Sequence, residues 1–60
     1  MKVGDIVYDK TDKRHGIIVQ EEWYTNIGTP FDWLVMWFDD GSFFGADTIY
    51  LEVINERSYA

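Results

Sequence analysis

A tight turn between two apolar runs constrains the fold of this chain more than any other feature. Residues 32–46 read DWLVMWFDDGSFFGA, with Asp40 and Gly41 near the centre. Asp-Gly between runs of aromatic and aliphatic residues is a strong signal for a β-hairpin, because glycine readily adopts the positive φ of a tight turn. The sequence therefore predicts a hairpin in residues 32–46, with Gly41 at positive φ.

The length of this turn determines which side chains face one another across the hairpin. A two-residue turn formed by Asp40-Gly41 pairs Phe38 with Phe43. The same turn pairs Trp37 with Phe44, and a three-residue turn exchanges the two phenylalanines. In both cases each face of the hairpin receives one phenylalanine, since side chains alternate along a strand.

The first strand of the hairpin is apolar on both faces. One face carries Leu34, Met36 and Phe38, and the other carries Trp33, Val35 and Trp37. A strand with one face exposed to solvent normally alternates apolar and polar residues. This strand is therefore either buried on both faces or carries an interaction surface. We predict that the first set belongs to the core. The second set, together with Phe44 or its neighbour Phe43, then forms an exposed protein-binding patch.

Two interpretations of the tryptophans in that patch stay open. Aromatic residues make up 18% of the chain, more than a domain of this size encloses. Trp and Tyr are the residue types most often found at the energetic centres of interfaces, which favours a binding role. Alternatively, Trp33 and Trp37 cover the open ends of the core or pack under the loop predicted at residues 24–31.

Length and composition limit the chemistry that is available. Sixty residues make one domain, and a chain this short buries only about 60% of the surface that its unfolded form exposes. The chain has no cysteine and a single histidine, His15. Disulfides and the common zinc arrangements are therefore excluded. We expect neither a metal nor a cofactor.

Charge and hydropathy point to a soluble protein. The net charge is −6, and four of the five Lys and Arg residues lie in residues 1–16. An acidic chain repels phosphate backbones, so nucleic acid is a disfavoured partner. Apolar runs fall short of the roughly 20 residues of a membrane span, and the amino terminus lacks the apolar segment of a signal peptide. We therefore expect a cytoplasmic protein without membrane contact.

Short strands and polar loops alternate along the chain. Strands are predicted at residues 5–9 and 16–23, in the two arms of the hairpin and at residues 51–54. Loops are predicted at residues 9–16 and 24–31, from their polar, Gly and Pro content. Asp47 suits the capping of a single helical turn before the last strand, because its carboxylate can accept from free backbone amides. Nothing in the sequence indicates a regular α-helix.

The predicted core draws on every strand except the second arm of the hairpin. Val3 and Val7 are the expected inward residues near the first strand, and Ile18 or its neighbours Ile17 and Val19 those of the second. The remaining members are Leu34, Met36, Phe38, Leu51 and Val53. Residues 55–60 show no pattern and are predicted to fray.

Four segments carry a resemblance to a known family. They are Gly4-Asp5-Ile6-Val7, Gly16-Ile17-Ile18-Val19, Phe38-Asp39-Asp40-Gly41 and Leu51-Glu52-Val53-Ile54. In this order the chain resembles the SH3-like barrels over residues 2–54, most closely the KOW and Tudor-type branch. The resemblance implies an all-β fold, a five-stranded SH3-like barrel over residues 1–54 with a single helical turn before the last strand. A flexible tail at residues 55–60 follows.

The same resemblance implies an origin and two alternative functions. Small stand-alone proteins of this type occur in bacteriophage genomes, which implies a viral protein in the host cytoplasm or the virion. KOW-type modules bind RNA through basic loops, and the candidate anion contacts here are Lys10, Lys13 and Arg14. Tudor-type readers enclose a cationic ligand in an aromatic cage. The partial cage available here consists of Tyr8, Trp23, Trp37 and Phe43 or Phe44, with Asp39 or Asp40 supplying charge.

Catalytic machinery is not evident in the sequence. His15 lies in a polar loop without an orienting partner, and the neighbours Asp39 and Asp40 suit a turn. Ser42 has no base nearby in the sequence. We therefore expect no enzyme activity. The favoured interpretation is a small protein-binding or assembly module that associates through the outward face of strands three and four. Its partner is another protein or a copy of itself, in a homo-oligomer.

Overall fold

The computed structural model describes residues 1–54 as an all-β domain. The strands are β1 (Ile6–Asp9), β2 (Arg14–Tyr24), β3 (Pro30–Trp37), β4 (Phe43–Ala46) and β5 (Leu51–Val53). A single 3-10 turn, Thr48–Tyr50, precedes β5. Residues 1–54 contain no α-helix. The five predicted strands and the helical turn are confirmed, but β2 and β3 begin inside the predicted loops, so His15 lies on a strand rather than in a loop. The predicted tail at residues 55–60 lies outside the described residues.

The five strands form one antiparallel sheet in the order β4-β3-β2-β1-β5. Strands β1 to β4 follow one another as a meander, and β5 returns to pair with β1, where Val53 faces Val7. The two edges of the sheet are β4 and β5. Within residues 1–54 the sheet is open, and closure into a barrel stays a prediction.

A bulge bends the longest strand, β2. Ile18 pairs with Val35, whereas Gln20 pairs with Leu34, so Val19 is an extra residue without a partner in the ladder. A bulge of this kind increases the local twist and bends the strand. Ile18 is buried on the inner face, while Val19, the extra residue, is exposed.

The core lies on one face of the sheet. Its buried members are Val7, Ile18, Val35, Trp37, Ala46 and Leu51, and Trp33 packs against them. The predicted inward positions of Val7, Ile18 and Leu51 are confirmed. Val3 and Val53 are exposed, so their prediction is wrong. Val53 lies on β5, an edge strand that no further strand of residues 1–54 covers.

The predicted orientation of β3 is also wrong. Val35 is 0% exposed and Trp37 is 2% exposed, whereas Phe38 is 49% exposed. Leu34 and Met36 are only partly buried. The inward face of β3 is therefore the one that we predicted to be a binding patch.

Gly16 supplies the physical reason for this orientation. It pairs with Trp37 in the β2–β3 ladder. A Cβ at Gly16 would lie 2.5 Å from Cγ1 of Val35 and 2.7 Å from the carbonyl oxygen of Met36. Strand β2 thus lacks a side chain where Val35 and the indole ring of Trp37 need room. The inner face of β3 has to be the face that meets this glycine.

The connection between β3 and β4 is longer than predicted. Phe43 pairs with Met36 and Phe44 with Val35, so neither predicted pairing of the phenylalanines occurs. The backbone N–H of Trp37 donates to the carbonyl of Ser42 at 2.8 Å, which leaves residues 38–41 in the loop. Gly41 has φ +74°, as predicted.

Two carboxylates stabilise this longer loop. Asp40 accepts hydrogen bonds from the backbone N–H of Ser42 at 3.0 Å and from its hydroxyl at 2.7 Å. Asp39 accepts from Arg14 of β2 at 3.1 Å. These contacts hold Asp39 and Asp40 within the loop, so Phe38 stays out of the β3–β4 ladder.

The predicted side-chain cap of the 3-10 turn by Asp47 is wrong. Its side chain makes no capping hydrogen bond. Instead Oδ1 of Asp47 accepts from the backbone N–H of Asp32 at 3.2 Å, and the N–H of Thr48 donates to Oδ2 of Asp32 at 2.9 Å. The carboxylate that satisfies the first amide of the turn therefore comes from β3, and it ties that strand to the turn.

Candidate protein-binding surfaces

The patch predicted from the sequence is largely inaccessible. Val35 and Trp37 are buried in the core, and Trp33 is partly buried against it. The indole N–H of Trp33 donates to Oγ1 of Thr48 at 2.9 Å, which fixes the ring beside the 3-10 turn. Of the four predicted residues, only Phe44 is exposed, to about half of its surface. The prediction of an exposed Trp33, Val35 and Trp37 is wrong, because β3 turns this face towards Gly16 and Ile18.

Arg14 covers the outer end of this core. Its guanidinium carbon lies 4.7 Å from the centroid of the Trp37 ring, within range of a cation–π interaction. The same group forms ion pairs with Asp39 at 3.1 Å and Asp40 at 3.5 Å. The hydrogen bond to Asp39 raises the pKa of Arg14 further, so the group stays charged. Arg14 is therefore engaged by the protein itself.

The remaining predicted anion contacts lie in the turn before β2. Lys10 and Lys13 are exposed, and Lys13 adopts φ 58°. Oδ1 of Asp9 accepts from the backbone N–H of Thr11 at 2.8 Å and of Asp12 at 3.1 Å. The turn thus places two carboxylates beside the two lysines. Anion binding by Lys10, Lys13 and Arg14 stays a prediction.

The predicted aromatic cage is not assembled. The ring of Tyr8 lies 4.9 Å from that of His15, and Trp37 is buried beneath Arg14. Only Trp23 and Phe44 come together, with centroids 5.3 Å apart. Asp39 and Asp40 form ion pairs with Arg14. The negative charge that the cage was predicted to offer a cationic ligand is therefore neutralised by the protein itself.

The face away from the core carries a line of apolar side chains across four strands. We call it the outer row: Ile6 on β1, Ile17 on β2, Met36 on β3 and Phe43 on β4, each directly opposite the next in the ladder. Cross-strand neighbours of this kind lie about 4.5–5.5 Å apart, close enough to form one surface. Phe43 is 59% exposed, and the other three are partly buried.

A second line of rings flanks the outer row. Tyr8 pairs with His15 on the same face, and the backbone N–H of Phe38 donates to the carbonyl of His15 at 2.9 Å. The ring of Phe38 is about half exposed. Among residues 1–54, this part of the sheet presents apolar and aromatic side chains, with Glu52 of β5 opposite Tyr8 at the edge.

Three further rings form a cluster at the end of the sheet. Phe44 meets Trp23 and Phe31 edge to face, with centroids 5.3 and 5.4 Å away. Gly45 makes this arrangement possible, because a Cβ there would overlap the Phe31 ring. The Phe31 side chain therefore lies directly on the backbone of β4.

A groove with acidic walls adjoins this cluster. It consists of two open concavities of about 490 and 260 Å³ that share Phe31 and Asp47. We call it the acidic groove. The larger part is lined by Glu22, Tyr24, Pro30, Phe31, Asp32, Asp47 and Ile49. The smaller part adds Asp9, Thr11, Asp12, Gly45, Ala46 and Tyr50.

Both surfaces were missed by sequence reasoning for identifiable reasons. In the outer row, Met36 was assigned to the core, Ile17 was an alternative core residue and Phe43 was the alternative to Phe44. All four residues lie in apolar runs, so periodicity alone does not distinguish their faces. Gly16 was the available signal, since a glycine in an apolar strand often marks a close approach. Phe31 was assigned to a loop, whereas β3 begins at Pro30.

Comparisons with known proteins add no family assignment. No family model matches the chain, and no curated protein or solved structure matches it significantly. Within residues 1–54, no helix is long and apolar enough to cross a membrane. The same residues contain no group of three or more acidic or histidine side chains arranged to hold a metal ion.

Proposed function

We propose that this protein is a small, non-catalytic protein-binding module of the SH3-like barrel type. The strand order supports the fold proposal, because β1 lies between β2 and β5 as in a five-stranded meander whose last strand returns to the first. The 3-10 turn directly before β5 also fits. The partner binds to the outward face of strands β3 and β4, as the sequence suggested, but through different side chains.

The outer row is the observation that carries this proposal. Four apolar side chains stand side by side on the face away from the core, and Phe43 at one end is more than half exposed. Contiguous apolar surface of this kind marks interaction sites on small soluble domains. Covering each 100 Å² of it contributes about 2.5 kcal/mol before the entropy of association is subtracted.

Charge favours a different protein over a second copy as the partner. Each chain carries a net charge of −6, so two copies repel one another. The outer row itself contains no charged residue, and a neutral or basic partner meets no such repulsion. Self-association through the same face is therefore the weaker arrangement.

Replacement of Phe43 by serine tests the proposal. Because the ring is largely exposed, the variant should remain folded, which circular dichroism checks. Protein captured from a lysate of the source organism on immobilised wild type should be lost on the variant, with affinity falling roughly thirtyfold or more if Phe43 is an energetic centre. Ile27→Ser is the matched control, since Ile27 is 87% exposed and lies outside the outer row.

Sedimentation of the same three proteins distinguishes the two kinds of partner. Wild type should sediment as a monomer at low and high salt if its partner is a different protein. A dimer that dissociates in Phe43→Ser would identify a second copy as the partner instead. A captured protein that binds Phe43→Ser as well as wild type would contradict the proposal.

A further inference from the structure

We propose that the acidic groove is a second binding site, which takes an extended basic segment of a polypeptide. Its walls belong to the turn before β2, to the start of β3 and to the connection between β4 and β5. No residue of the outer row lines the groove. The two sites are therefore separate, and either can exist without the other.

The groove combines an apolar floor with negative walls. Phe31 lies in both of its parts, with Tyr24 at one end and Tyr50 at the other. Five carboxylates line the groove: Asp9, Asp12, Glu22, Asp32 and Asp47. No Lys, Arg or His is among its lining residues in the described part of the chain. A ligand with cationic side chains on an extended backbone complements both features.

Hydrogen bonds fix the central carboxylates before any ligand arrives. Asp47 uses Oδ1 to accept from the N–H of Asp32, and Asp32 uses Oδ2 to accept from the N–H of Thr48. In residues 1–54, the second oxygen of each carboxylate has no hydrogen-bond partner, and the Glu22 carboxylate makes no hydrogen bond or ion pair. Acceptors held in place in this way need little ordering when a cation binds.

The shape of the groove favours a polypeptide over a point charge. Its two parts share Phe31 and Asp47, and each has carboxylates of its own, so the negative charge is spread over both parts rather than gathered around one centre. They do not form a group that could hold a metal ion. Lys and Arg side chains have apolar stems that pack on rings such as Phe31 while their charged ends reach carboxylates. A second copy of this acidic chain does not fit.

Titration with labelled peptides tests this proposal. The probe is a short labelled peptide of alternating arginine and alanine, and the reference is the matching peptide of glutamate and alanine. Fluorescence anisotropy should show binding of the arginine peptide alone, and the affinity should fall as salt screens the charges. In the double variant Glu22→Gln/Asp47→Asn the affinity should fall about tenfold.

A charge-matched variant separates a specific site from general attraction. Glu21→Gln/Glu52→Gln removes the same charge from residues that do not line the groove. It should bind the arginine peptide nearly as well as wild type. Equal weakening in the two double variants would overturn the proposal, as would the absence of binding at low salt. Spermidine should compete poorly, since it has no peptide backbone from which several cationic side chains reach both parts of the groove, and competition as strong as that of the peptide would exclude a polypeptide ligand.

The outer-row variant keeps this test apart from the proposed function. Phe43→Ser should bind the arginine peptide like wild type, because Phe43 does not line the groove. Loss of peptide binding in Phe43→Ser would mean that a single site explains both observations. If wild type binds the arginine peptide but captures no partner that depends on Phe43, the proposal of the groove as a binding site stands and the proposed function is contradicted.

Discussion

From Trp33 to Trp37, the two faces of β3 are both apolar in sequence and opposite in role. The inner face carries Trp33, Val35 and Trp37, of which the last two are almost completely buried. The outer face carries Leu34 and Met36, which stay partly exposed. The difference therefore does not come from hydrophobicity. It comes from what lies opposite each face on the neighbouring strands.

Volumes across the ladder explain the choice. On the inner face, Trp37 stands opposite Gly16 and Trp33 opposite Ala46, so each large ring meets a small residue. On the outer face, Met36 stands between Ile17 and Phe43. Large residues opposite small ones interdigitate at the density of a protein interior, whereas rows of large residues form a surface. Cross-strand volume, rather than periodicity, decides which face of this strand is buried.

Replacement of a side chain on each face should give the largest contrast. Trp37→Ser should cost about 3–5 kcal/mol, because it removes a buried ring and leaves a cavity. That is close to the total stability expected of a domain this small, so the variant should be largely unfolded. Met36→Ser should cost about 1 kcal/mol. Urea denaturation followed by circular dichroism measures both, and equal costs would break the distinction between the two faces.

Gly16 provides the next largest effect. A single added methyl group, in Gly16→Ala, should cost about 2 kcal/mol, because it overlaps Val35 and the carbonyl oxygen of Met36. The added Cβ would also lie 3.1 Å from the Trp37 ring. A thermal melt of the variant against wild type measures the loss. An unchanged midpoint would mean that Gly16 does not determine the orientation of β3.

Gly41 tests the turn that joins β3 to β4. Gly41→Val should cost between about 1 and 2 kcal/mol, because a β-branched residue is strained at the φ of +74° found there. A side chain at Gly41 meets no atom within 4 Å, so the cost is backbone strain alone. Gly41→Asn is the matched control, since Asn tolerates this conformation better. Similar midpoints for the two variants would contradict the assigned strain.

Local signals in the sequence were sufficient to predict the elements of the fold. Asp-Gly predicted the hairpin and a positive φ at Gly41, and Asp47-Thr48 marked the position of the helical turn. The number and order of the strands were predicted from the polar, Gly and Pro residues of the loops between them. Such features depend on a few neighbouring residues, which is why a single sequence reveals them.

The orientation of β3 depended on residues distant in sequence. Gly16 and Ala46 are 21 and 13 residues from their partners Trp37 and Trp33. The small size of these two residues indicates the buried face only when the strand pairing is known. The four-residue loop at 38–41 makes that pairing differ from the one predicted. The acidic groove likewise combines residues from several connections. Its carboxylates were visible in the sequence only as an excess of negative charge.

Acid should produce the smallest change in stability. The two carboxylates responsible lie outside the buried face of β3. The hydrogen bond from the Lys2 ammonium holds the pKa of Asp5 below its usual range, and the Ser42 hydroxyl does the same for the pKa of Asp40. A carboxylate with a lowered folded-state pKa stabilises the fold above its unfolded pKa of about 3.9. This stabilisation is lost as the pH falls through the folded-state pKa.

Thermal melts at neutral pH and at about pH 3 measure this effect. The wild-type midpoint should fall in acid. Asp5→Asn should have a lower midpoint than wild type at neutral pH and should lose less on acidification, since one of the two carboxylates with a lowered pKa is gone. A drop as large as that of wild type would show that Asp5 does not contribute to the pH dependence.

Thiol labelling of single-cysteine variants tests the orientation of β3 most directly. The natural chain has no cysteine, so Val35→Cys and Met36→Cys each carry one thiol, on opposite faces of the same strand. Under native conditions the thiol at position 36 should react readily. The thiol at position 35 should react only when the domain opens, and much more slowly. Faster labelling at position 35 than at position 36, in two folded variants, would contradict the assignment of Val35 to the core and of Met36 to the outer row.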